Sequence, residues 1–288
     1  SATGGDGGRY SNFGTSLDGV KASNGGAAES TGINLSNNND INITAKALTI
    51  TAQGGTSGNL DSSYGGLNGI RGVGGVAEAY GLKLVSTKGT VTATNITITA
   101  TGGNGSTGGN GIQSGNHGSD GGMGGQGIGY GMKTSNSELL LDASSLVVKA
   151  IGGTGAAGGQ GNNGTDIIQG GNGGDGGDGG AATAYGIHAT NSKIGITTDS
   201  ILSTAQGGAA GAGGTGGTNT AGGANGSNGG DGVIGTATAY GVYAGSGSVV
   251  TLTAKNGNTL DIGVTATGTD AKAYIVYADS ASVLFDSS

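Results

Sequence analysis

Three carboxylates set among glycines are the residues of this chain whose type and spacing come nearest to a chemical site. The stretch from Gly170 to Asp178 opens with the GGxGxD pattern of the calcium-binding nonapeptide, in which carboxylates and carbonyls of successive repeats surround a hard cation. That pattern needs a large apolar residue at its eighth position, where Gly177 stands, and it does not recur in tandem. Asp175, Asp178 and Asp231 are therefore read as solvated members of glycine triplets, with calcium ligation as the alternative; no metal or cofactor is expected. The only histidines, His117 and His188, fall at different places in the sequence repeat, and His188 is placed outward on a strand, as a surface side chain. Arg9 and Arg71 both sit in glycine tracts. A polysaccharide-acting site on a strand face clusters Asp with Arg or Lys. No such set is written here, and the chain is read as not an enzyme.

The frame that must position any site is a repeat of about fifty residues, a length typical of stacked units that cannot bury an apolar face alone. Its marker dipeptide falls at Tyr80-Gly81, Tyr130-Gly131, Tyr185-Gly186 and Tyr240-Gly241, at spacings of 50, 55 and 55 residues. A degenerate copy stands at Thr31-Gly32 and a closing one at Tyr274-Ile275. Two residues after the first marker position comes Ile33, Leu82, Met132, Ile187, Val242 or Val276. Period-two alternation puts this residue and the preceding Tyr on the inward face and the intervening Gly outward. The next position, Asn34, Lys83, Lys133, His188 or Tyr243, also faces outward and varies freely.

Two more alternating runs follow in each repeat. The second is Ile41/Ile43, Val91/Ala93, Leu139/Leu141, Ile194/Ile196 and Val250/Leu252. The third ends in an alanine that never varies: Ala52, Ala100, Ala150, Ala205 and Ala266. Three short strands per repeat, each with one apolar face, predict an all-β fold, a three-sided parallel β-helix of about six turns. Roughly six apolar side chains per turn, at ~1.5–3 kcal/mol each when buried, do not outweigh the ~1–2 kcal/mol per residue of backbone ordering. Only stacking makes such turns stable.

Between the strands lie glycine tracts near 54–75, 102–125, 152–180 and 207–232, with a partial one at 1–24. Their glycines recur every third residue, as in Gly152, Gly155, Gly158, Gly161 and Gly164. A period of three is neither helix nor strand and matches the threefold polyproline-II screw. Such a chain has no internal hydrogen bonds and orders only if its N–H and C=O groups pair with neighbouring tracts. The tracts are expected to pack in register beside the β-helix, at about the ~4.8 Å of its rungs. The outward Gly of each marker is expected to lie under a crossing tract, because the tract-free last turn carries Ile275 there.

The chain holds 72 Gly among 288 residues, with no Pro, Cys or Trp, which excludes collagen and a disulfide-stapled domain. Eleven Lys+Arg against 18 Asp+Glu give a net charge of −7, so no nucleic-acid partner is expected. No apolar stretch reaches membrane-spanning length. The whole of 1–288 is read as one β-solenoid segment of a longer protein, with 25–288 carrying the turns.

The Tyr-Gly-Ile/Leu/Val and Ile-x-Ile-x-Ala strands across roughly 25–288 resemble the passenger regions of secreted bacterial adhesins of the autotransporter and two-partner-secretion class. The long glycine tracts look more like the polyglycine tips of phage tail-fibre adhesins or a glycine-rich antifreeze protein. The resemblance implies display outside the cell or at the bacterial surface, binding cell-surface or glycan ligands or copies of itself. The alternative is an ice-binding protein, whose glycine triplets or Thr-x-Thr rows such as Thr90, Thr92 and Thr94 would order water.

Overall fold

A computed structural model describes residues 2–3, 25–37, 41–56, 73–105, 107, 120–158, 160, 163, 170, 172–219, 224–255 and 259–286. The fold is all-β, with parallel strands in two sheets and no α-helix among the described residues. Among the described residues no helix is long and apolar enough to cross a membrane.

One sheet has six strands: β2 (Ala28–Ser36), β4 (Ala77–Val85), β6 (Gly127–Ser135), β8 (Ala182–Thr190), β11 (Thr236–Gly245) and β14 (Thr269–Asp279). The other has nine. Its main row is β1 (Ala2–Thr3), β3 (Ile41–Gln53), β5 (Lys88–Thr101), β7 (Glu138–Ile151), β9 (Lys193–Thr198), β12 (Val249–Ala254) and β15 (Ser282–Asp286). Beside that row, β10 (Ser200–Gln206) pairs with β7 and β13 (Asp261–Thr267). Neither sheet closes on itself.

Register follows the sequence repeat. Thr31 pairs with Tyr80, Tyr80 with Tyr130, Tyr130 with Tyr185, Tyr185 with Tyr240 and Tyr240 with Tyr274. The invariant alanines Ala52, Ala100, Ala150, Ala205 and Ala266 form a second aligned row. The core lies between the sheets and is built from like residues stacked on like, among them Leu82, Met132, Ile187 and Val242, all fully buried.

Two expectations are corrected. The second and third sequence runs are not separate strands in the early repeats: β3, β5 and β7 each run unbroken through both. Within β5 the buried positions shift from Val91 and Ala93 to Ile96, Ile98 and Ala100, so Thr94 and Asn95 both face out. The three runs therefore lie in two sheets, and the strand divides only later, at Asp199 and after Ala254.

The second correction concerns the marker glycine, which faces the core. A Cβ on Gly186 would lie 2.7 Å from Cγ2 of Ile201 and overlap the Gly241 carbonyl. Gly32, Gly81, Gly131 and Gly241 meet Ile50, Ile98, Leu146 and Ile262 in the same way. Gly186 and Ile187 are both buried, so the alternation slips by one and leaves Tyr185 and His188 together on the outer face. Close approach of the opposite sheet, not a crossing tract, requires glycine there. Ile275 stands on the last described strand of its sheet, 57% exposed, in space that the stacked turns lack.

The turn leading from β4, β6, β8 and β11 into the other sheet passes through a left-handed residue: Ser86, Asn136, Asn191 and Gly247 have φ of 50°, 50°, 45° and 70°. Asn and Gly tolerate that region best. The next residue is a buried hydroxyl, and these form a chain in which the Ser137 N–H donates to Ser192 Oγ at 3.2 Å and the Ser192 N–H to Ser248 Oγ at 3.3 Å.

The glycine tracts form a hydrogen-bonded layer continuous with the sheets. Each described tract has an outgoing and a returning leg, such as 152–158 and 172–180. Donor direction changes with a period of three. Gly152, Gly155 and Gly158 donate to the next outgoing leg, at Gln206, Ala209 and Ala212. Gly153 and Ala156 donate to the previous returning leg, at Gly125 and Gly122. Thr154 donates to Asn104 Oδ1 at 3.0 Å. One row crosses the layer leg by leg: Gly235 donates to Gly208, Gly208 to Gly180, Gly180 to Gly153, Gly153 to Gly125 and Gly125 to Gly103.

Such spacing leaves no room for a methyl group. Replacing Gly176 by Ala would drive Cβ into the Gly211 carbonyl oxygen, whereas a Cβ on Gly230 would meet only Asp175 Oδ1, at 3.8 Å. Gly176→Ala is expected to destabilise by about 1–3 kcal/mol and Gly230→Ala to be nearly neutral, as read from thermal unfolding.

Candidate functional site

The slip at each marker creates the most distinctive surface of the molecule. Tyr80, Tyr130, Tyr185, Tyr240 and Tyr274 stack along the outer face of the six-stranded sheet, with ring centroids 4.9, 4.9, 4.9 and 5.1 Å apart. Beside them runs a second row from Lys83 and Lys133 through His188 to Tyr243 and Tyr277. His188 stacks on Tyr243 at 4.7 Å, and Tyr243 on Tyr277 at 5.2 Å. Rings of the two rows meet edge to face, at interplanar angles of 87° for Tyr185 with His188 and 86° for Tyr240 with Tyr243. The result is a herringbone, which suits the ring quadrupoles. The four marker tyrosines are thus brought together, but their ring faces are spent on one another. The marker glycines lie behind them toward the core.

The cations complete the row. Lys83 Nζ sits 4.4 Å from the Tyr80 ring centroid and Lys133 Nζ 4.5 Å from that of Tyr130. Lys83 also pairs with Glu29 at 2.6 Å, and that hydrogen bond holds the Glu29 carboxyl below its ordinary range. Burial lowers Lys133 from the usual ammonium value. Burial raises the Tyr80, Tyr130 and Tyr240 phenols and pushes Tyr185 up to about 12, so these stay neutral donors. The Tyr80 hydroxyl donates to Glu78.

The carboxylates read as solvated triplet members instead make structural bonds. Asp175 Oδ1 accepts from Gly230 N–H at 2.8 Å, Asp178 Oδ1 from Val233 N–H at 2.8 Å and Asp231 Oδ1 from Gly213 N–H at 2.9 Å. These carboxylates stitch glycine legs together, and among the described residues no three metal-ligating side chains gather. His117, Arg9 and Arg71 lie outside the described residues.

A groove was not foreseen. It is an open concavity of about 830 Å³ on the outer face of β5, β7, β9 and β12. One rim carries Lys88, Glu138 and Lys193, aligned by strand register; the other carries Asp142, held by Lys255 at 2.6 Å. Leu140 lies across its floor, 61% exposed, with Thr90, Thr197 and Thr251 around it. Glu138 pairs with Lys88 at 3.2 Å, an exposed contact worth little by itself. The available signal was the Lys-Glu-Lys succession at one repeat position, visible only once register is known.

No protein-family model, curated protein or solved structure matches this chain.

His188 gives the face a pH dependence. Burial, then the nearby Lys133 charge, pull it from its ordinary 6.5 to about 4, and its Nδ1 is buried without a hydrogen-bond partner among the described residues. Its neighbours are Tyr130 and Lys133 on β6, Tyr185 on its own strand and Tyr243 on β11. The folded form prefers neutral imidazole, so its contribution is whole above 6.5 and is lost as pH falls toward about 4. His188→Tyr, which extends the Tyr243 row, should remove about 1–3 kcal/mol of acid sensitivity across that window in urea titrations.

Proposed function

We propose that this chain is a segment of an extracellular adhesin or structural surface protein: a parallel β-helix, flanked by a polyglycine-II-like layer, that binds cells, glycans or its own kind through exposed faces. The observation that carries this reading is the repeat-to-repeat register maintained from Thr31 to Tyr274, which produces broad side-chain rows rather than an enclosed cavity. The β-helix winding is supported by the two phase changes in burial within each repeat, at the marker and midway along β5 and β7. The threefold alternation of donor direction supports the polyproline-II-like screw. Display at the bacterial surface follows from the adhesin reading, and no catalytic role is assigned.

Within this reading the groove is the contact face, because it offers an exposed aliphatic floor, threonine hydroxyls and charged rims together. Immobilised protein should retain whole cells or members of a glycan array. Leu140→Glu with Lys193→Glu, both on exposed positions, should reduce that retention about tenfold or more without shifting the melting temperature. Wild-type protein that retains neither cells nor glycans, and stays monomeric in sedimentation, would defeat the adhesin reading.

A second reading, ice binding, is favoured by one observation. Thr51, Thr99, Thr204 and Thr265 align at rung spacing on the outer face of the nine-stranded sheet, interrupted only by Lys149. Thermal hysteresis that increases in Lys149→Thr would establish it in place of the first.

A further inference from the structure

The last glycine tract differs from the one before it at one set of positions, and the difference is matched by hydrogen bonds that the described residues of the earlier tracts do not make. In the tract before it, Gly170, Gly173, Gly176 and Gly179 of the returning leg face the next outgoing leg. A Cβ on any of them would overlap the carbonyl oxygen of Gly217, Gly214, Gly211 or Gly208 respectively. One layer on, the same register positions hold Asn225, Asn228, Asp231 and Ile234. The register is fixed by neighbouring bonds: Ser227 N–H donates to Asn172 Oδ1 at 2.9 Å and Gly230 N–H to Asp175 Oδ1 at 2.8 Å. Side chains are tolerated at these four positions because no further tract presses on them: β13 passes to β14 through Gly268 alone.

Three of these side chains, Asn225, Asn228 and Asp231, also satisfy donors that would otherwise face outward. In the preceding layer Gly155 and Gly158 donate to carbonyls of the next outgoing leg, Ala209 and Ala212. Gly213, Gly216 and Asn219 continue this row of donors in the last outgoing leg, Gly213 standing where Gly158 does one repeat earlier, and they have no such leg to meet. Instead Gly213 N–H donates to Asp231 Oδ1 at 2.9 Å, Gly216 N–H to Asn228 Oδ1 at 2.9 Å and Asn219 N–H to Asn225 Oδ1 at 2.7 Å. Elsewhere in the layer Asn and Asp side chains reach a different tract, as Asn104, Asp120, Asn163 and Asp178 do. Among the described residues, only in the last tract does this row fold back across its own hairpin.

We propose that Asn225, Asn228, Asp231 and Ile234 form a terminator that closes this side of the glycine layer, and that what it shuts out is a further glycine-triplet segment, above all one from a second copy of this chain. Two physical effects combine. The four side chains occupy the approach distance that backbone packing requires, and the oxygens of Asn225, Asn228 and Asp231 take N–H groups that an incoming leg would pair with. The inference rests on the hydrogen bonds of the layer and is independent of what the outer faces bind.

Two experiments on the whole chain decide it. In Asn228→Ala, amide exchange at Gly216 should quicken about tenfold or more, while Gly211 and Gly214, which donate inward to Gly177 and Gly174, keep their protection. Unchanged exchange at Gly216 would overturn the capping role. In the quadruple variant Asn225→Gly, Asn228→Gly, Asp231→Gly, Ile234→Gly, the layer should dimerise in sedimentation velocity or bind a synthetic peptide of the sequence Gly170 to Gly180, and wild type should do neither. Equal behaviour of the two proteins, with the protection of Gly176 and Gly179 showing the variant's layer intact, would overturn the exclusion.

Discussion

The lateral distance between hydrogen-bonded parallel backbones, about 4.8 Å, governs both halves of this molecule. In the sheets it sets the pitch at which like residues stack, and the tyrosine centroids repeat at 4.9 Å because their strands do. In the glycine layer the same pitch is imposed on legs that leave the sheets at the ends of β5, β7 and β10. A leg held that close to its neighbours has no space for Cβ on the facing positions and uses the N–H groups of those positions as donors, which disfavours both ordinary side chains and proline there. The composition of the chain, rich in Gly and without Pro, is the consequence of one spacing applied to two kinds of backbone.

Much of this was legible in the residues. The repeat, the stacking partners and the lateral packing of the tracts all follow from periodicities of two and three. What alternation could not reveal was the slip at Gly186 and Ile187. Two consecutive inward residues violate period two, and it is the Gly241 carbonyl on the neighbouring strand together with Ile201 across the core that makes the glycine necessary. That slip turned the tyrosines outward, so the pattern identified the right residues on the wrong face. Asp175, Asp178 and Asp231 were recognisable as triplet residues, but their partners lie on other legs or across a hairpin and are fixed by register alone. The groove was hidden for the same reason: its rim residues are a whole repeat apart in sequence.

The outward tyrosines constrain which surfaces can serve recognition. A sugar ring stacks on an aromatic face, and in the herringbone those faces are occupied by the next rung or by an edge from the second row. Tyr80 and Tyr130 are further closed off by Lys83 and Lys133, whose ammonium groups sit over the rings, and both tyrosines are buried. The aromatic rows therefore belong to the stability of the stack. Under the adhesin proposal, recognition would fall to other surfaces, of which the groove around Leu140 offers an exposed aliphatic floor beside threonines and paired charges.

The glycine layer cannot account for its own order. Fixing a backbone residue costs ~1–2 kcal/mol, and glycine sits at the high end because its unfolded freedom is greatest. A net hydrogen bond returns only about 0.5–1.5 kcal/mol, and the legs bury no apolar side chains to make up the difference. The deficit is met where the legs are anchored. Ala182 and Ala237, the buried residues that open the strands on the returning side, and Ala100, Ala150 and Ala205 on the outgoing side hold each tract at both ends within the cooperative core. With its ends fixed at the strand pitch, a leg loses far less entropy on pairing than a free chain would. Order therefore passes from the apolar stack into the layer and not the reverse. The layer must be the less protected of the two, and its outermost hairpin, with only one neighbouring tract, is where side-chain caps have the most to contribute.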